Sequence, residues 1–150
     1  MANEARLQPI VEIEEEVYRY VYVGNEAPPL WCFGCTCLVR IGDDVFVSGY
    51  KGLEEFIPYN NVTWLLLKRE QQGWVLQQTD GAHRTREPSP LAGFPDGRIF
   101  LSVNPTLAPP TEQSGIAQPM VLGFCTEDPK VSPRVLMPEW EDDPEFTQHS

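Results

Sequence analysis

The sequence predicts an all-β protein made of two consecutive four-stranded antiparallel sheets, preceded by one extra strand. Three observations point there. Proline is abundant (15) and glycine occurs 11 times. No window places apolar residues at helical spacing over the three turns a stable helix needs. Short apolar runs bounded by turn residues recur along the chain in two similar series. With 41% hydrophobic residues in 150, there is enough apolar material to bury a core.

The first run, Glu16 to Val23, alternates Val17, Arg19, Val21 and Val23 with Tyr18, Tyr20 and Tyr22, the period of a strand. Pro28 and Pro29 break it. A second run, Cys35 to Ile41, meets the turn Gly42-Asp43-Asp44 and returns as Val45 to Ser48, a hairpin. After a long loop, Gly49 to Asn61, Val62 to Lys68 reads as a third strand, Arg69 to Gly73 as a turn and Trp74 to Gln78 as a fourth strand. The first unit thus spans 31–80.

The series then repeats over 86–138. Pro90 to Gly93 enters the turn Phe94-Pro95-Asp96-Gly97, and Arg98-Ile99-Phe100-Leu101-Ser102 echoes Asp44-Val45-Phe46-Val47-Ser48. Met120 to Cys125, the turn Thr126 to Pro133 and Arg134 to Met137 complete it. A period of about 50 residues with four strands each is the signature of β-propeller blades, because one small sheet cannot bury both its faces alone.

In such a meander alternate connections emerge at the same end. The long ones, Ala27 to Gly34, Gly49 to Asn61, Asp80 to Ser89 and Val103 to Ala117, all fall at one end, which is therefore the candidate binding end. The acidic tail 139–150 reads as an interblade connection. Because two blades cannot close a ring, the expectation is either a longer chain supplying the remaining blades or a homo-oligomer of identical chains.

The formal net charge is −11, from 22 acidic and 11 basic residues, which disfavours a nucleic-acid partner. Glu12, Glu14, Glu15 and Glu16 crowd one end, and Glu139, Glu141, Asp142, Asp143 and Glu145 the other, as solvated ends do. No stretch has the length and apolarity of a membrane span or an export signal, so the reading is cytoplasmic, with the four cysteines reduced.

Arg86-Glu87-Pro88, with Leu91 and then Asp96-Gly97-Arg98-Ile99-Phe100, resembles the arginine-x-proline segment that opens a blade in the sialidase (neuraminidase) superfamily. Gln71-Gln72-Gly73-Trp74 resembles the end of a degenerate Asp-box turn of the BNR-repeat type, in which the tryptophan wedges between sheets. The stretches Trp31 to Gly49 and Phe94 to Pro105 are similar to bacterial sialidase-like propeller proteins. The resemblance covers roughly Trp31 to Trp140 at the level of the fold. It implies a partial propeller whose complete form binds an anionic glycan, with hydrolysis left open. The alternatives are a non-catalytic carbohydrate- or protein-binding module and a structural fragment.

The same resemblance places Arg86 at the ligand carboxylate, as a bidentate fork. An ion pair with Glu26 or Glu87 is the competing reading of Arg86. His83 and Arg84 complete a small basic island, while Trp31, Tyr50 and Asn104 sit on the same loops, the aromatic rings either stacking on a sugar or packing the loops. The catalytic residues are unknown, for the family's tyrosine and glutamate pair falls in blades this sequence does not contain. Asp43 and Asp44 belong to turn geometry. Cys32, Cys35, Cys37 and Cys125 lack the second half of a zinc motif, and Cys35 and Cys37 read as buried core thiols on one strand. Asn61-Val62-Thr63 reads as a strand entry rather than a glycosylation site. No metal and no cofactor is expected.

Overall fold

In the computed structural model, which describes residues 8–31, 34–81, 83–141 and 145–147, the described residues contain strands and turns and no helix. The first sheet is a meander of β1 (Leu38–Ile41), β2 (Asp44–Gly52), β3 (Val62–Glu70) and β4 (Gly73–Thr79). The second repeats it with β5 (Leu91–Gly93), β6 (Arg98–Val103), β8 (Met120–Cys125) and β9 (Arg134–Leu136). Two short strands, β7 (Ile116–Ala117) and β10 (Phe146–Thr147), pair with each other.

The two sheets stack in a defined sense. The Ser48 amide donates to the Cys37 carbonyl at 2.9 Å, and the Ser102 amide donates to the Pro90 carbonyl at 3.0 Å. In an L-chain strand, the side to which the amide points fixes the face from which the side chain leaves. Ser48 and Ser102 therefore mark the same face of their respective sheets, here called the front. On the front of the first sheet Val39, Phe46, Trp64 and Leu66 are buried. They pack against Leu91, Ile99, Leu101, Leu122 and Phe124, which lie on the back of the second.

The contact is thus front to back, as between successive repeats of an array, rather than front to front. Trp64 meets Phe124 edge-on with centroids 6.0 Å apart, and a Cβ on Gly93 would lie 3.0 Å from Ile41 Cδ1, so β1 closes directly onto β5. Phe46, Leu66, Ile99 and Leu101 are fully buried, each worth about 1.5–3 kcal/mol in water-excluded apolar surface.

Residues 16–23 do not form the extra strand. β1 ladders with β2 only over Asp44–Val47, and the segment meets the first sheet through side chains instead of a ladder. Glu15 bonds Arg69 and the Trp74 indole. The Tyr18 ring lies 2.6 Å from where a Gly49 Cβ would stand, Val23 fills the space beside Gly52, and Tyr20 packs edge-on to Tyr50 at 5.2 Å. Glycines at 49 and 52 make the seats. Tyr18 and Tyr20 are half-buried, Tyr22 is exposed and Val23 of the other series is seated, so the alternation marks neither a ladder nor one buried side.

Other boundaries moved. The loop expected from Gly49 starts after Gly52, because β2 and β3 remain paired to Gly52↔Val62. The first strand begins at Leu38, so Cys35 and Cys37 precede it. Cys35 is exposed and Cys37 half-buried, contrary to the core reading, since they meet no facing sheet. Cys32 lies outside the described residues. Trp74 does not wedge between the sheets; it stands on the back of the first, against Glu15, whereas Trp64 takes the inter-sheet position. The tail 139–150, read as a free connection, contributes β10, and Trp140 stacks on Phe146 at 4.8 Å.

Candidate functional site

The long loops do gather at one end, where buried polar side chains knit them together. Asn25 donates from Nδ2 to the carbonyls of Ala27 and Arg86, each at 2.8 Å, and Arg86 Nε returns a bond to the Asn25 carbonyl at 2.9 Å. Arg84 donates from Nη1 to the Asn60 carbonyl (2.9 Å) and from Nη2 to the Ala108 carbonyl (2.6 Å). Asn60 reaches the Gln113 carbonyl at 3.0 Å. The bridge Val62↔Thr85 and the Thr106 amide on the Arg84 carbonyl carry the 84–86 strip between the two units. Loop carbonyls buried away from water need donors, and a guanidinium satisfies several at once.

This changes the standing of the predicted residues. Arg86, only 7% exposed, lies 3.7 Å from the Glu26 carboxylate and 5.1 Å over the Tyr59 ring. The anticipated ion pair with Glu26 is present. Among the described residues Glu26 and Tyr59 are the two non-glycine residues with positive φ, 57° and 84°. Both touch Arg86, whose contacts help to hold this unfavourable backbone. Arg84 is buried over Phe56 at 4.9 Å, and loss of hydration lowers its pKa.

The basic island is therefore dismantled: two of its cations are turned into loop carbonyls, and the third, His83, is exposed with Nδ1 2.7 Å from Asp80 Oδ2. Tyr50 is 1% exposed. Its hydroxyl donates to the Ala27 carbonyl at 2.5 Å, and burial pushes its pKa up, so its ring packs the loops instead of facing a ligand. Asn104 is half-buried. Trp31 is exposed and stands apart, on the turn closed by its amide to the Pro28 carbonyl at 2.8 Å. Asn61 is buried, donating to the Val23 carbonyl at 2.6 Å, in keeping with a strand entry.

What the end does offer is a hollow of about 450 Å³ beside the back of β3 and β4. Lys51, Glu55, Thr63, Asp80, His83 and Arg84 supply its polar edge, and Phe56, Leu65 and Leu76 its apolar wall. Thr63 Oγ1 is anchored on the Asp80 carbonyl, which fixes the floor. Of these residues His83 and Arg84 were singled out from the sequence, and Arg84 is committed to loop carbonyls. Lys51 and Leu76 carried no local signal, for each is an ordinary strand residue until the loops close round it. Among the described residues no group of three or more His, Cys, Asp or Glu could hold a metal ion.

Comparison of the chain with protein-family models, with curated proteins and with solved structures gives no match.

Proposed function

We propose that this chain is a propeller-type binding module whose loop end takes a small carbohydrate-like ligand bearing an acidic group. The two sheets stack as successive blades do, and the resemblance of Arg86-Glu87-Pro88 and the Asp-Gly turn to sialidase-type blades points to the same ligand class. The observation that carries the reading is the hollow lined by Lys51, Thr63, Asp80, His83, Phe56 and Leu76. Sugar rings present apolar C–H faces and polar rims, and a concave site mixing an apolar wall with a few placed polar groups suits them. The Lys51 ammonium is the group for a ligand carboxylate.

Arg86 takes a positioning role in this reading, holding residues 25–26 and 59 behind the hollow's loops. The test is a ligand-observed NMR titration of the chain with a uronic acid and with the neutral sugar of the same skeleton. Saturable binding of the acid is expected, weakened roughly tenfold in Lys51→Ala, the worth of one charge-assisted bond. Equal binding of both sugars, or none of either at millimolar concentration, would refute it.

A further inference from the structure

The polar groups on the edge of the hollow beside β3 and β4 are not equally available to a ligand. Thr63 is bound to the Asp80 carbonyl and Thr79 to the Trp64 carbonyl. Asp80 accepts from His83 at both carboxylate oxygens, from Nδ1 at 2.7 Å and from the amide at 3.3 Å, while Arg84 is committed to the Asn60 and Ala108 carbonyls. Lys51 and Glu55 remain. Both are exposed, and among the described residues neither side chain makes a hydrogen bond or an ion pair, with the other or with any neighbour. Two full charges of opposite sign are thus left to whatever enters the hollow.

Both charges come from the one connection between β2 and β3. Lys51 is the cross-strand partner of Thr63 and so stands with it on the back of the first sheet. Glu55 lies on the turn of residues 53–56, which is closed by the Phe56 amide on the Leu53 carbonyl at 3.2 Å and pinned by the Leu53 amide on the Asn61 carbonyl at 2.8 Å. The same turn delivers Phe56 to the apolar wall, its ring backed by the Arg84 guanidinium at 4.9 Å. An apolar surface therefore shares the hollow with a cation and an anion that do not reach one another.

We propose that the ligand of this hollow carries an ammonium as well as a carboxylate, Lys51 taking the carboxylate and Glu55 the ammonium. The inference rests on the reading of the hollow as a site for an acidic sugar, and it names the class of that sugar, an amino uronic acid. For a ligand bearing a carboxylate alone, Glu55 opposes what Lys51 attracts. The chain's formal net charge of −11 opposes it too. An ammonium on the same ring makes Glu55 a second partner and leaves the ligand without net charge, so the acidic chain no longer repels it. Because both side chains are exposed, each contact is modest and weakens with salt.

Ligand-observed NMR titrations at low ionic strength test it with three probes: galacturonic acid, galactosaminuronic acid, in which an ammonium replaces one hydroxyl, and phenylalanine, which carries both charges without a sugar. The amino uronic acid is expected to bind about fivefold tighter than galacturonic acid, the gain from one screened ion pair. Glu55→Gln should erase that gap and bind galacturonic acid more tightly than wild type does. Glu54→Gln, the same change on the same turn but outside the hollow, should leave the gap in place. Galacturonic acid bound as tightly as its amino analogue, or Glu54→Gln and Glu55→Gln acting alike, overturns the proposal and leaves the acidic-sugar reading standing. Phenylalanine bound as tightly as the amino uronic acid overturns the sugar reading and keeps the assignment of the two charges. No binding of any probe at millimolar concentration overturns both.

Discussion

Arg84 and Arg86 show what a residue's chemistry becomes once its surroundings are fixed. As letters they are cations on a loop, available to an anion. In the fold they are donors for the backbone, with Asn60, Ala108 and Asn25 carbonyls as their acceptors. Arg84 has given up most of its hydration for two bonds to neutral oxygens. Arg84→Met keeps the stem's packing and removes the donors, leaving two part-buried carbonyls unsatisfied. A loss of about 2–4 kcal/mol is expected, read as a lower urea midpoint with an unchanged slope.

Among the elements, the N-terminal segment is the most instructive. Its Val/Tyr alternation was legible, but neither strand identity nor burial of one side followed, since Tyr18 and Val23 are both seated while Tyr22 is exposed. Alternation fixes neither a ladder partner nor a covering face, for both come from whatever packs against the segment. Its attachment also carries a pH dependence. The Arg69 guanidinium holds the Glu15 carboxyl below its ordinary 4.5. A carboxyl whose folded pKa is depressed adds stability above its unfolded pKa and loses it as the pH falls through the folded one. The Trp74 indole, which donates to Glu15, is the reporter. Its N–H resonance should hold steady above pH 4.5 and shift only below it, and Glu15→Gln should abolish the step.

At the scale of the whole molecule, the front-to-back stack makes the two repeats unequal although their strand order matches. Phe46 and Phe100 occupy corresponding places, one fully buried and one on an open face. Phe46→Ala should therefore cost about 3–5 kcal/mol, the price of a core cavity. Phe100→Ala should cost well under half of that. Equal losses in chemical denaturation would mean that the fronts of both sheets are buried alike, contrary to the stack described here.

The sequence by itself determined the sheets. Period-two patterning, the turns Gly42-Asp43 and Asp96-Gly97, and the echo of Asp44–Ser48 in Arg98–Ser102 located eight strands and their order, with Met120–Cys125 placed to the residue. These are local properties, set by which neighbours along the chain can share a ladder and a turn. The tertiary structure alone decided which face of each sheet meets the other, which cations point inward and where the hollow lies. Those outcomes depend on groups distant in sequence: Lys51 beside His83, Asn25 against Arg86, Tyr18 on Gly49. Burial sets the chemistry of each of them, and burial is conferred by whatever packs across, which no stretch of the chain encodes alone.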